Sequence, residues 1–258
     1  MNILITGRSG YIATSLRRSL KHNITCIGRD DFDLTDTVVV DSWFKDKQFD
    51  VVIHTAISGG KRTKKDSGED FYQNLLMFYN LYKNRSNYNK FINLGSGAEQ
   101  NINTPYGLSK RIIFDLIKNN PNFFTIRIFG LFDENELEER FIKQNIRRYI
   151  NKKSIVIYKD KKMDFFYMED FINLIEYYIN TDSLPLEVNC TYAYSYKLSE
   201  IANIINNLAD YSVPILIEHP CESAPYVGVP NNLFSFKGLD YGISRVYNKL
   251  KNQKSSII

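Results

Sequence analysis

What this 258-residue chain has little of narrows its function before any motif is read. The three cysteines, Cys26, Cys190 and Cys221, are odd in number, far apart and without metal-ligand spacing. That argues against a disulfide framework or a zinc site and for free thiols in a reducing compartment. The three histidines, His22, His54 and His219, are equally scattered, so no metal is expected. No apolar run is long enough to cross a bilayer. The apolar start MNILIT meets a glycine turn too early for a signal peptide. A cytoplasmic protein without a membrane partner is expected. Charge of one sign is also scarce: 33 Lys and Arg stand against 29 Asp and Glu, a net +4. No basic helix or aromatic-interleaved basic stripe stands out, so nucleic acid is not an expected partner, whereas a small anion fits.

The first half alternates short β-rich runs with longer amphipathic ones, the pattern of βαβ units. Strands are predicted at Asn2–Thr6, Ile24–Gly28, Asp50–His54, Lys90–Leu94 and Phe123–Ile128. Helices are predicted between them, at Tyr11–Lys21, Thr37–Lys47, Glu69–Arg85 and Pro105–Asn119. Right-handed crossovers then give an α/β, doubly wound parallel sheet of the Rossmann type. The segment Ile57–Gly68 interrupts the pattern with glycines and four basic residues; it reads either as a surface loop or as a flap over an anionic ligand.

The first strand runs directly into Gly7-Arg8-Ser9-Gly10-Tyr11-Ile12-Ala13. Glycines there let the backbone turn tightly and approach a pyrophosphate seated on the following helix N-terminus. Ala13 in the third position still permits close packing of helix on strand. The second strand ends in Gly28-Arg29-Asp30. An arginine at that tip suits the 2′-phosphate of NADP and an acid suits the ribose hydroxyl of NAD. Arg29, with Arg8 in the turn, favours NADP(H) over NAD(H), and Asp30 keeps NAD open.

A carbonyl reductase needs a proton donor that works near neutral pH. A tyrosine can serve if a cation favours its phenolate, and a lysine four residues later on a helix lies on the same face. The spacing Tyr-x-x-x-Lys is a poor filter here, because it occurs five times: Tyr79/Lys83, Tyr106/Lys110, Tyr149/Lys153, Tyr158/Lys162 and Tyr247/Lys251. Position separates them. Tyr106/Lys110 opens the helix after the fourth strand, with Pro105 suited to a first turn, and that strand ends in Gly95-Ser96-Gly97. Ligands of open α/β sheets bind at the strands' carboxyl ends, so Ser96, Tyr106 and Lys110 form the expected catalytic set. His54, closing an apolar strand, reads as structural, and Glu99 as an exposed loop acid.

TGRSGYIA, DVVIHTA, NLGSGAE, YGLSK and IRIFG, in this order and spacing, resemble the extended short-chain dehydrogenase/reductase family, the NAD-dependent epimerases and dehydratases. The resemblance is specific over residues 1–130. RDDFDLTD and the glycines after DVVIHTA are similar to the GDP-fucose synthase and nucleotide-sugar 4-keto reductase branch. It implies cofactor contacts from Gly7, Arg8, Ser9, Gly10, Tyr11, Ile12 and Arg29. It further implies Asp33 and Leu34 at the adenine, Ala56 at the ribose, and Tyr106 and Lys110 at the nicotinamide ribose. It also implies a nucleotide-sugar substrate and a homodimer packed through aromatic helix Phe71–Tyr82. Dehydratases of the family follow the catalytic hydroxyl with Asp-Glu, where this chain has Gly97-Ala98. Double epimerases add a cysteine, replaced here by Ala98, and a histidine after the fifth strand, where this chain has none. NADPH-dependent ketone reduction is the leading expectation, with an NAD-dependent C4 epimerase and a non-catalytic NADP-binding regulator as alternatives.

Beyond Gly130 a smaller lobe is expected, with residues 1–129 and 168–190 in the dinucleotide-binding domain and 130–167 and 191–258 in an α+β substrate lobe. Helices are predicted at Glu134–Ile150, Met168–Asn180, Lys197–Leu208 and Gly242–Lys251, and strands at Ser154–Tyr158, Met163–Tyr167, Leu186–Cys190 and Pro214–Glu218. Arg140, Lys143, Arg147 and Arg148 are candidates for a substrate phosphate, or a charged helix face. The arginine common before the family's aromatic strand is replaced by Met163-Asp164, and Tyr226-Val227-Gly228 suits a substrate loop.

Overall fold

The computed structural model describes residues 1–60, 64–221, 223–230, 232–233 and 235–255, with side chains to residue 253. The chain divides into two compact units, Met1–Ile128 with Ile172–Val188, and Phe129–Phe171 with Asn189–Ile258. The division falls within one helix.

The first unit is built on strands β1 (Asn2–Thr6), β2 (Asn23–Ile27), β3 (Phe49–His54), β4 (Tyr88–Ser96) and β5 (Phe123–Ile128). They pair in parallel in the order β2-β1-β3-β4-β5. The intervening helices are α1 (Tyr11–Ser19), α2 (Thr37–Phe44), α3 (Gly68–Lys83) and α4 (Pro105–Ile117). Both faces of a parallel sheet must be covered, which explains why the central strands read as nearly continuous apolar runs. Ile3, Leu4, Ile5, Val52, Ile53, Phe91 and Ile92 are fully buried. One face closes over an aromatic cluster in which Phe91 meets Phe78, Tyr88 and Phe123, the last with ring centroids 5.0 Å apart.

Local chemistry sets the helix starts. Asp36 accepts from Val38 N and Val39 N at 3.0 and 3.1 Å to begin α2, and Ser67 and Asp70 form a reciprocal cap on α3. Thr104 caps α4 by accepting from Gly107 N at 3.0 Å, with Pro105 in the first turn. Strand β4 runs two residues further than expected, to Ser96, because the whole of Gly95-Ser96 pairs with Arg127-Ile128 of β5.

The second unit carries β6 (Leu131–Phe132), α5 (Phe141–Ile150), β7 (Ile155–Ile157), β8 (Phe166–Tyr167), the start of α6 (Met168–Asn180), α7 (Leu198–Asn206), β10 (Ile215–Ile217) and α8 (Leu239–Ser255). Strand β9 (Glu187–Asn189) returns to the edge of the main sheet beside β5. The two small sheets are β6-β8 and β7-β10. The helix expected from Glu134 begins only at Phe141. Its acids turn inward instead: Asp133 accepts from Asn135 N at 2.7 Å, and buried Glu136 accepts from Lys143 N in the first turn of α5 at 3.2 Å. Burial lifts the Glu136 carboxyl to about 8. Three of the four basic phosphate candidates are already committed. Lys143 donates to Glu136 O at 2.7 Å and pairs with Glu138; Arg147 pairs with Glu138; Arg148 donates to Ser154 O at 2.6 Å. The strand expected from Met163 begins only at Phe166; Met163 is buried, and Asp164 accepts from Gly228 N at 2.8 Å, which ties the Tyr226-Val227-Gly228 segment to the residues ahead of β8. No helix among the described residues is long and apolar enough to cross a membrane.

Phe91→Ala empties the centre of the aromatic cluster. The substitution is expected to cost about 3–5 kcal/mol of unfolding free energy, read from urea denaturation. A loss below about 1 kcal/mol would show that the cluster does not hold the sheet.

Candidate active site

The site grows from the carboxyl ends of β1, β3 and β4 in the first unit. Gly7 turns the chain after β1 with φ of +78°, and a side chain there would meet the Ala56 backbone at 3.0 Å. The close approach of the turn to β3 thus requires glycine. Thr6 Oγ1 accepts from the amides of Thr55 and Ala56, both at 3.2 Å, and Thr55 Oγ1 donates to Thr6 O at 2.7 Å. Gly10 begins α1 without a side-chain cap, and the first turn holds no acid. The start of a nine-residue helix, with its positive end and a glycine turn before it, fits a dinucleotide pyrophosphate. Ser9 and Gly10 are exposed, Tyr11 and Ile12 half-buried.

At the tip of β2 the charges are mixed. Arg8 pairs with Asp31 at 2.9 Å and with Asp30 at 3.2 Å, and Asp31 also accepts from Gly28 N at 2.8 Å. Arg29 is exposed nearby in the chain. Asp33 accepts from Thr35 N and Oγ1 at 2.8 and 2.9 Å, and these bonds hold its carboxyl below the usual range. Leu34 is packed into the apolar core, its carbonyl accepting from Asn80 at 2.8 Å, so that its side chain serves packing.

Ser96, Tyr106 and Lys110 are brought together by β4, the 3-10 turn of residues 97–100 that follows it, and α4. Lys110 is 2 % exposed and donates from Nζ to Leu94 O at 2.8 Å, two residues before Ser96. Burial lowers its ammonium to about 8, against the attraction of Glu99. The Lys110 Nζ lies 5.8 Å from the centre of the Tyr106 ring. Gly107 lets the turn after Ser96 settle on the start of α4: a Cβ there would meet Asn101 O at 2.3 Å and Ala98 O at 2.5 Å. The Ser96 hydroxyl oxygen accepts from Ala98 N at 3.1 Å, which leaves its proton to be donated elsewhere.

Several participants were not foreseen. Asn74 of α3 donates to Ser58 O at 2.9 Å and to Ser109 Oγ at 3.2 Å, so it ties the loop after β3 to the helix that carries Tyr106 and Lys110. Gly60 lies against the Tyr106 ring, where a Cβ would sit 2.9 Å from Cζ. Lys61, Arg62 and Thr63 of the expected flap lie outside the described residues. Glu99, expected as an exposed loop acid, is buried instead. It accepts from Ser96 N and from Arg127 Nε, both at 2.8 Å. The signal was in the sequence: Ser96-x-x-Glu99 is capping-box spacing, which turns an acid back onto the chain.

His54 hydrogen-bonds Thr6 Oγ1 through Nδ1 at 2.9 Å and is 1 % exposed. Burial, with Lys110 adding repulsion, lowers its imidazole from 6.5 to about 3. It is a neutral tie between β1 and β3. Among the described residues no group of three His, Cys, Asp or Glu could hold a metal.

A depressed folded-state value means that the unfolded chain takes up the His54 proton first. The contribution of this group is present above about 6.5 and lost as pH falls toward 3, at up to about 1.4 kcal/mol per pH unit. His54→Gln is expected to flatten that part of the stability profile in denaturant titrations between pH 6.5 and 4. An unchanged slope would show that His54 does not stay neutral.

The profile of the NAD-dependent epimerase/dehydratase family matches residues 3–190. A search of curated proteins finds no significant match. Among solved structures, a GDP-mannoheptose C4 reductase from Campylobacter jejuni, with NADP bound, superimposes with a TM-score of 0.80 at 16 % identity, covering 97 % of this chain and 98 % of that one. A GDP-D-glycero-L-gluco-heptose synthase from the same organism, solved with NADPH, gives 0.79 at 18 % identity, with 98 % of each chain covered. A UDP-glucuronic acid 4-epimerase from Bacillus cereus, in complex with UDP-glucuronic acid and NAD, gives 0.77 at 16 % identity, covering 98 % of this chain and all of that one. At such identities the likeness is one of fold. With the family profile spanning the sheet, the glycine turn and the Ser-Tyr-Lys set, this chain belongs to the NAD-dependent epimerase/dehydratase family.

Proposed function

We propose that this protein reduces the ketone of a nucleoside-diphosphate-linked 4-keto-6-deoxy sugar with NADPH, in the synthesis of activated sugars for surface polysaccharide. One observation carries the reading: Ser96, Tyr106 and buried Lys110 stand at one sheet end with Gly97 and Ala98 beside them, where elimination would require acids. Gly7, Ser9, Gly10, Tyr11 and Ile12 would hold the pyrophosphate and Ala56 a ribose. Asp33 and Leu34 would border the adenine, and Arg8 and Arg29 the 2′-phosphate. Bound NADPH supplies the hydride for the ketone carbon. Tyr106 then gives its phenolic proton to the sugar oxygen. Lys110, a cation in a dry site, stabilises the phenolate left behind and binds the nicotinamide ribose. Ser96 donates a hydrogen bond from its hydroxyl to the same sugar oxygen, keeping its own proton, and fixes the position of that oxygen.

A second reading has its own support. Arg8 is already shared by Asp30 and Asp31, so a 2′-phosphate would compete with two carboxylates, whereas a ribose hydroxyl would be welcomed by them. That arrangement favours NAD and, with it, an epimerase that retains its cofactor. A homodimer through α3 and α4 is part of the proposal, supported by exposed Tyr72 and Tyr79 on α3 and Leu116 on α4.

The test is consumption of NADPH or NADH with a panel of 4-keto nucleotide sugars. Turnover with NADPH is expected, with Arg29→Ala weakening NADPH more than NADH. Tyr106→Phe is expected to lower kcat by about 10²–10⁴-fold with little change in cofactor affinity. Absence of reduced-cofactor consumption with every sugar would sink the reductase reading, and tightly retained NAD with no net redox change would favour the epimerase. Full cellular function of Tyr106→Phe would leave only a non-catalytic role.

A further inference from the structure

The surroundings of Lys110 lead to a residue that the reaction as proposed does not use. Glu99 sits in the turn after β4, 3 % exposed, with both carboxylate oxygens occupied. Oε1 accepts from Ser96 N at 2.8 Å and Oε2 from Arg127 Nε at 2.8 Å. Arg127, on β5, is held in turn by Glu187 of β9 at 2.8 Å, and its guanidinium lies 5.1 Å from the Phe114 ring centre. Room for the carboxylate comes from Gly95, where a Cβ would stand 2.5 Å from Glu99 Oε1. Burial raises the Glu99 carboxyl above the usual carboxylate range, while the guanidinium and the backbone amide on its two oxygens favour the anion.

We propose that Glu99 is a positioning residue, whose buried carboxylate fixes the backbone of Ser96 at the strand end and serves as the counter-charge of Lys110. The inference rests on reading Ser96, Tyr106 and Lys110 as the reacting groups. Lys110 Nζ bonds to Leu94 O and Glu99 Oε1 accepts from Ser96 N, so the two charged groups are anchored on either side of Gly95 at one strand end. The bond to Ser96 N closes the turn that carries the serine hydroxyl, which itself accepts from Ala98 N at 3.1 Å. Among the described residues, Lys110 is set against Tyr106 on its own helix, neutral His54 from β3, and Glu99 from the turn after β4. Arg127 and Glu187 stand behind Glu99 as its support. An ammonium removed from water persists only if a partner of opposite charge is close. Glu99 fills that role, and a single carboxylate thereby couples the placement of the serine to the charge of the lysine.

The consequence is a pH dependence that belongs to Glu99. Removing its charge leaves burial of Lys110 unopposed, so the ammonium loses its proton at lower pH. In the wild-type apoprotein the Lys110 side chain, labelled at 13Cε and assigned with Lys110→Arg, is expected to titrate near 8 by NMR. Glu99→Gln, equal in volume, is expected to lower that midpoint by on the order of one pH unit, while Glu99→Asp leaves it nearly in place. Glu99→Gln also strands a buried guanidinium. The double variant Glu99→Gln/Arg127→Gln, whose amides can bond to each other, therefore removes the same carboxylate should the single variant not fold. With an accepted substrate, the alkaline limb of kcat/KM is expected to move down in step with the NMR midpoint. An unmoved midpoint in Glu99→Gln, or in the double variant measured against Arg127→Gln alone, overturns the proposal. If Tyr106→Phe retains full turnover, the catalytic reading fails instead, whatever Glu99 does.

Discussion

An amine at 2 % exposure, bonded to a main-chain carbonyl and deprived of bulk water, is the constraint around which the first unit is arranged. Lys110 can donate to Leu94 O only if β4 ends where it does and α4 crosses its end at one height. Thr104 and Pro105 fix where that helix starts, so the lysine falls on the inward face four residues after Tyr106. The tyrosine is thereby half-buried with the cation 5.8 Å from its ring centre. Serine, tyrosine and lysine are thus placed by one strand end and one helix start, and neither can shift without breaking the bond at Leu94.

The polar groups around this amine are arranged to keep the region dry without leaving charge unpaired. His54 is neutral and serves as a hydrogen-bonding strut. Asn74 accepts from Ser58 N and donates to Ser58 O and to the Ser109 hydroxyl, linking the loop after β3 to α4. The buried acid and the guanidinium face each other across β4 and β5. Close packing is allowed where side chains have been removed: Gly95 accommodates a carboxylate, and Gly107 admits two carbonyl oxygens. Buried ionic groups need this degree of satisfaction, because an unpaired one would cost more than the fold can spare.

Much of this was legible in the sequence, and the reasons differ by element. The five parallel strands showed as short apolar runs, and β1 and β5 fall on the predicted residues because a glycine turn and a proline-led turn punctuate them. The spacing of Tyr106 and Lys110 was legible only through position, since four other pairs share it. What stayed hidden depends on partners outside the element that carries the residue. Glu99 looks like a loop acid until Arg127, 28 residues on, is brought beside it by β5. Lys143 and Arg147 look like phosphate ligands until Glu136 and Glu138 fold back on them, and the same inward turn of acids shortens α5. Helix periodicity reports an apolar face, not a cap made by a residue outside the helix.

The helix that opens the chain is asymmetric in its ends. Its last turn carries Arg17 and Arg18, which suit the negative pole of the backbone, while its first turn has neither an acid nor a capping side chain. No acid of the helix itself complements its positive pole. An anion that bound at that pole would bind the folded chain and not the unfolded one, and the melting temperature would then depend on its concentration. The stability of such a fold would then be in part a property of the solution it works in.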